Sequence, residues 1–382
     1  MTDSTATSPH MLCSPLHTVH IAAGASFTDF AGWQMPVRYG SELAEHHAVR
    51  TSAGIFDLSH MAEISVTGAG AGGALDFALA GLISAVAVGQ AKYSLLLAPD
   101  GGIIDDLVVY RTGEHDFLIV ANAANRAVVV HELGARAAGH DCVVTDRSDE
   151  TALIAVQGPR AREIIMSTGG IVVDDLTDLK YYRERPGRFE GESLLIARTG
   201  YTGEDGFELY VDAALAIDLW AALVFAGTDA GLVPAGLASR DTLRLEAGMP
   251  LYGHELSRGI LPVQAGLGRV PNLGKEFVGS AAIEAGPAVD APVLVGLRLE
   301  GRRAGRADYP VLNAGPAAVA VGSITSGALS PTLGYPIAMA YIEPALSSTG
   351  TRVAVDIRGS IVAASVVEFP FYKRSKDAEK SN

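Results

Sequence analysis

Asp105 and Asp106 stand side by side in the run IIDDLVVY, residues 103–110. Their neighbours are apolar and partly β-branched, which predicts a strand. Successive side chains on a strand point to opposite faces, so the two carboxylates face opposite ways. Whichever face is buried carries one of them, and a buried carboxylate needs donors, a cation or a ligand. The bland alternative is one solvated Asp and one that caps a neighbouring loop. Other residues of chemical interest are scattered: His60 in FDLSHM (56–61), Asn122, Glu208 between Phe207 and Leu209, and Arg240 and Arg244 one helical turn apart. Each has an ordinary structural reading on its own. These are a hydrogen-bonded histidine, a solvated strand acid and a solvated basic helix face. The string FAGWQMPV (30–37) places Trp33 and Met35 in a Gly/Pro loop, which in isolation reads as core.

The elements that must position these residues follow from periodicity and punctuation. Residues 93–97 and 102–110 read as consecutive strands joined by the turn Pro99-Asp100-Gly101, a hairpin. Further strands are expected at 63–67, 116–121, 151–157, 193–199 and 207–211, the last two flanking the turn GYTGEDG at 200–206. Helices are expected at 41–50, with Glu42, Glu45, His46 and Arg50 on its polar positions, and at 75–83, 123–138, 159–167, 214–226 and 238–247. Composition shifts near 285, where AGPAVDAP (285–292) reads as a linker. Beyond it lie mostly strands, at 294–299, 318–325, 337–341, 352–357 and 361–367. The expected organisation is a loose lead-in at 1–12, a mixed α/β body at 13–285, an all-β domain at 286–372 and a frayed polar tail at 373–382.

Bulk properties narrow the function classes. At 382 residues the chain has room for two or three domains. Hydrophobic content of 48% with 19% charged residues suits a well-packed enzyme. A formal net charge of −14 argues against nucleic acid or an anionic membrane as partner. The cysteines, Cys13 and Cys142, make neither a disulfide framework nor a thiolate metal site, which fits a reducing compartment. No secretory signal is expected in residues 1–9, and the uncharged stretch 310–342 is too broken by Pro and Gly to cross a membrane as a helix.

Several motifs are decoys. GAGAGG (68–73) has the glycine spacing of a dinucleotide fingerprint but lacks the acid about 20 residues on that would hold a ribose. Residues 268–275 resemble a phosphate loop one residue too long, with Glu276 where a hydroxyl is required. His17 with His20, and His46 with His47, have no third ligand at metal spacing, so no metal site is expected.

Taken together, the strings FAGWQMPV, FDLSHM, GGIIDDL, GYTGEDGFE, LASRDTLRLEAGMPLYG, LGKEFVG and TSGALSPTLG, in that order, resemble the aminomethyltransferases (T-proteins) of the glycine cleavage system. The resemblance runs from about residue 15 to 372. It implies an α/β (α+β) multidomain folate-binding body of two intertwined lobes with a C-terminal β-barrel. It implies transfer of a one-carbon unit from the aminomethyl-loaded lipoyl arm of H-protein to tetrahydrofolate, with release of ammonia, in a cytoplasmic setting. It places the key acid at Asp106 and folate contacts at Met61, Asn122, Glu208 and Arg240, with Tyr201 and Arg306 lining the same region. No metal and no nucleotide are implied. Residues 24–27 lack the family's usual lysine-methionine, and 371–374 also depart, so no ligand is carried over there. Two rivals share the scaffold. One is a folate-dependent demethylase of a small methylated compound. The other is a non-enzymatic folate-binding protein of iron–sulfur assembly, whose cysteine has no counterpart in Arg198-Thr199-Gly200-Tyr201.

Overall fold

The computed structural model describes residues 11–315 and 318–374. The lead-in up to residue 10 and the tail from 375 lie outside the described residues. Leu12 is tied in by its N–H, which donates to the Gly32 carbonyl, and by a bridge to Trp33. Within 30–37 the expected loop is a β-hairpin. Strands Ser26–Phe30 and Trp33–Arg38 pair antiparallel across Ala31 and Gly32, both at positive φ, and Met35 is fully buried.

Two sheets build the body, and the chain passes between them. One has seven strands, in the order Ile171–Val172, Glu184–Phe189, Glu192–Ala197, Gly206–Asp212, Thr151–Gln157, Ala53–Asp57 and Leu232–Pro234. The other has five, in the order Gln90–Leu97, Ile103–Arg111, Asp116–Ala121, Ala62–Thr67 and Val143–Asp146. Strand Ala53–Asp57 belongs to the first sheet and the following five belong to the second. The chain then returns to the first at Thr151–Gln157. Helices Ala161–Ser167 and Ala216–Gly227 pack on the outer face of the seven-stranded sheet, and helices Ala71–Ala78 and Arg126–Ala137 on that of the five-stranded one. The inner faces share an apolar layer that includes Phe56, Leu58, Tyr110, Val120, Leu153 and Tyr210.

The glycines of GAGAGG serve packing. Gly68 sits at φ 127°, and a Cβ there would lie 2.5 Å from the Asp141 carbonyl oxygen. The helix that follows is Ala71–Ala78, earlier than the expected 75–83. It stops because the Asp76 carboxylate accepts from the Ile83 and Ser84 N–H groups and folds the chain back.

Past residue 292 six strands close into a barrel, in the order Val293–Leu299, Pro336–Ile342, Ala320–Leu329, Pro310–Asn313, Arg352–Ile357 and Ser360–Val367. Strand Pro310–Asn313 goes beyond the five strands expected there. Helix Leu237–Glu246 joins body to barrel. Leu245 packs with Ala328, Ile337 and Met339, and Arg244 donates to the Ser326 hydroxyl at 2.7 Å. Helix Glu42–Thr51, capped by Ser41, lies against the same seam. Its expected polar face is largely buried: Glu45 and His46 are enclosed, and Arg50 ion-pairs with Glu246 at 2.7 Å and Glu204 at 3.1 Å. No helix among the described residues is long and apolar enough to cross a membrane.

Candidate active site

Between the inner faces of the two sheets, extending toward helix Leu237–Glu246, lies a cavity of about 620 Å³. Alternation along strand Ile103–Arg111 sends Asp106, Val108 and Tyr110 to it and turns Asp105 away. The opposing sheet contributes Glu208 and Tyr210, again two residues apart on one strand. Helix Leu237–Glu246 adds Arg240 and Arg244, and the barrel-side loop adds Pro250 to His254. Met61, Asn122 and Tyr201 also line it. Six of the seven residues singled out by resemblance are thus brought together. The seventh, Arg306, is not among the lining residues. It is exposed on the barrel, with Nη1 3.4 Å from the Gly327 carbonyl oxygen.

Asp106 is held by two donors. The Tyr93 hydroxyl donates to Oδ2 at 3.0 Å and the Asn122 amide donates to Oδ1 at 2.9 Å. The same amide donates to Asp105 Oδ1 at 2.9 Å. Asp105, fully buried behind the wall, also accepts from the Asn122 backbone N–H at 3.0 Å and from the Asn125 amide at 2.6 Å. One side-chain amide therefore bridges both carboxylates, and neither acid is the solvated one of the bland reading. Burial pushes Asp106 up to about 6 against the pull of Tyr93 and Asn122. Burial, then the neighbouring Asp106 charge, pushes Asp105 up to about 7. Such a pair titrates as a unit.

Glu208 and Arg240 are less committed. Glu208 Oε2 accepts from the Thr199 hydroxyl at 2.5 Å and from the Tyr110 hydroxyl at 3.4 Å. No hydrogen bond from the described residues reaches Oε1, so it remains available to a donor in the cavity. Arg240 stacks its guanidinium 4.9 Å above the Tyr201 ring and makes no side-chain hydrogen bond or ion pair with the described residues. Burial lowers its pKa from the ordinary arginine value, with Glu208 opposing. A guanidinium with five unused donors in an enclosed site is a receptor for an acceptor-rich or anionic group. Arg244, by contrast, is spoken for by Glu255 at 2.9 Å and by Asp241. Neither arginine is on a solvated face.

The turn at 200–206 sets Tyr201. Gly200 lies against the Gln157 amide, where a Cβ would stand 2.1 Å from Oε1. The Gln157 Nε2 donates to the Thr199 carbonyl at 3.1 Å. Sequence reasoning missed Tyr93, Tyr110 and Tyr210 as site residues. For Tyr110 and Tyr210 the signal was present, since each sits at an even offset on its strand from Asp106 or Glu208. Among the described residues no cluster of His, Cys, Asp and Glu is placed to hold a metal ion.

A deep cavity with an acid held by two donors, an open carboxylate oxygen and an unpaired guanidinium is a small-molecule site of an enzyme. Comparison with known proteins makes this specific. The GCVT N-terminal domain family matches residues 16–275, and the glycine cleavage T-protein C-terminal barrel domain matches residues 293–373. An aminomethyltransferase of Cutibacterium acnes is 57% identical over 369 residues, covering 95% of this chain and 98% of the relative. One from Streptomyces coelicolor is 55% identical over 368 residues, covering 94% and 97%. The crystal structure of the glycine cleavage system aminomethyltransferase T from Bartonella henselae superposes with a TM-score of 0.86 at 35% identity, covering 95% of this chain and 98% of that one. The chain belongs to the glycine cleavage T-protein family, and its activity is that of an aminomethyltransferase.

Proposed function

We propose that tetrahydrofolate fills the chamber and receives there a one-carbon unit delivered by the lipoyl arm of H-protein, with Asp106 as the catalytic carboxylate. The observation that carries this is the placement of Asp106 in one chamber with two uncommitted groups of opposite hydrogen-bonding sense, Glu208 Oε1 and the Arg240 guanidinium. A reduced pterin presents adjacent N–H donors, which a carboxylate accepts in pairs. The rest of a folate carries carbonyls and carboxylates, which a guanidinium reads. Met61 and the Tyr201 ring supply apolar and aromatic surface for flat rings.

In the reaction the aminomethyl carbon loses its bonds to sulfur and to nitrogen and gains two bonds to folate nitrogens. The two folate N–H protons end on the departing ammonia and on the arm's thiol. Asp106 accepts a hydrogen bond from a folate nitrogen, orients its lone pair toward the carbon and takes up its proton. Enclosure keeps water from the electrophilic carbon, and holding both substrates in one chamber supplies much of the rate. The cytoplasm, as a reducing setting, suits the free thiols Cys13 and Cys142.

Calorimetry with a stable folate analogue tests this reading. Saturable binding is expected, and Glu208→Ala is expected to weaken it by about 1–3 kcal/mol, the cost of leaving buried donors unpaired. Well-folded protein that binds no folate ends the reading.

The carrier is tested separately. Among the described residues both cysteines are unpaired, so the proposed sulfur comes from elsewhere. A tethered arm raises its own local concentration in the chamber without a tight protein interface. Lipoylated H-protein is therefore expected to exceed free dihydrolipoamide by about a hundredfold in kcat/KM in the reverse assay. Equal efficiency of the two would remove the partner-presented arm and favour a small free substrate.

A further inference from the structure

His60 lines the chamber and has no role in the folate reading so far. It is 3% exposed, in the link between strands Ala53–Asp57 and Ala62–Thr67. Its ring packs edge-on against Phe30, with centroids 5.3 Å apart. Its Nδ1 is sealed from solvent without a hydrogen-bond partner, and no described residue bonds its Nε2. Two other buried histidines show how this fold ordinarily satisfies the ring. His20 bonds Asp57 and Tyr39, each at 2.8 Å, and His46 bonds Thr242 at 2.8 Å and Thr332 at 2.9 Å. A phenylalanine would fill the His60 slot without leaving ring nitrogens desolvated and unpaired, so packing alone does not account for an imidazole.

With Nδ1 sealed, Nε2 is the ring nitrogen left to meet the chamber. Burial, reinforced by Arg240 and opposed by Asp57, holds the pKa down to about 4, so the ring is neutral at working pH. A neutral imidazole carries one proton. An orphaned buried N–H is rarer than an orphaned acceptor, so the proton belongs on Nε2 and the bare lone pair on Nδ1. We propose that His60 is a folate-contacting residue whose Nε2–H donates a hydrogen bond to a carbonyl oxygen of the ligand. This rests on the folate reading and adds a neutral donor to the charged one on Arg240. A carbonyl paired with a neutral donor is held without drawing a second positive charge into a chamber through which an amine must leave.

The test uses the full chain and a stable folate analogue. His60→Phe keeps the ring and its packing and removes the donor. The analogue Kd is expected to rise about tenfold, the scale of one buried hydrogen bond. The loss in kcat/KM should appear in KM for folate, with the carrier's KM unchanged. His60→Gln, whose amide N–H reaches the Nε2 position, should recover affinity to within about threefold, whereas His60→Asn, which mimics Nδ1, should not. The thermal midpoint of His60→Phe should equal or exceed that of the parent. Parental affinity in His60→Phe, or a lowered midpoint with Kd unmoved, overturns the contact in favour of a structural role. Should His60→Phe fail to fold, equal affinities of the Gln and Asn variants overturn it. Failure of the parent chain itself to bind the analogue counts against the folate reading and not against His60.

Discussion

Asp106→Asn is expected to lower turnover about a hundredfold or more while analogue affinity changes only a few-fold. The substitution preserves shape and leaves room for the Tyr93 and Asn122 hydrogen bonds to reorganise. It removes the group that can take a proton. The pH profile supplies an independent check. The folded-state pKa of Asp106 is raised, to about 6, so the carboxylate is protonated below that pH and ionised above it. Parental activity should therefore fall as pH drops through about 6, and the residual activity of Asp106→Asn should lack that limb. Asp105→Asn should be milder, about tenfold. Both Asp105 oxygens accept from N–H donors, so an amide there sets one donor against another and loosens Asn122, and Asp106 is affected only through it. Steady-state kinetics of the two variants at full folding decide the assignment. If Asp105→Asn is the more damaging, the functional face of the strand is the other one.

The opposed facing of the two aspartates was legible because a strand with an apolar run on both sides leaves little freedom. Alternation from Ile103 to Tyr110 separates the two aspartates, and the resemblance selects Asp106, which is the one that lines the chamber. The strands at 151–157 and 207–211 were legible as apolar runs bounded by turn residues, and the hairpin of 93–97 with 102–110 was legible from its turn, but the pairing of 151–157 with 207–211 was not. Other features were not. Arg306 was carried over from the resemblance, outside every quoted motif, and a resemblance does not fix where a long side chain on a barrel loop points. The helix at 41–50 has a polar face, and one helix's pattern cannot distinguish solvent from a polar seam with another domain. Glu45 is covered from within the body, where it accepts from the Tyr39, Gly40 and Gly236 N–H groups, whereas His46 meets Thr332 of the barrel. Strand Pro310–Asn313 escaped because it is short and begins with Pro, a residue tolerated at the first strand position but otherwise a strand breaker. Arg240 and Arg244 look equivalent in sequence. Their difference, one unpaired and one locked to Glu255, arises from residues brought in by the loop after the helix.

The seam that sequence could not show has the largest expected effect on stability. Glu246 is fully buried at the end of the helix that carries Arg240. Its Oε2 accepts from Arg50 at 2.7 Å and Thr332 Oγ1 at 2.8 Å, and lies 3.2 Å from His46 Nε2. Its Oε1 accepts from the Thr332 N–H at 3.0 Å and from Ser330. Burial works against the charge, but His46, Ser330 and Arg50 win, and the pKa falls to about 2. Removing one partner strands the others: Glu246→Ala is expected to cost about 3–5 kcal/mol in denaturant unfolding at pH 7. The sign with pH follows from the lowered value. This contribution is present above the unfolded-state pKa of a glutamate and disappears as pH falls through about 2, so the gap between parent and variant should narrow steadily below pH 4. A gap independent of pH would mean that lost packing, and not the carboxylate, sets the cost. Barrel and chamber are coupled through this residue. Loosening Glu246 frees the C-terminal turn of the helix that aims Arg240, so Glu246→Gln, the gentler change, should weaken folate-analogue binding even where the chain stays folded. If Glu246→Gln binds the analogue as the parent does, the barrel stabilises the body without helping to shape its chamber.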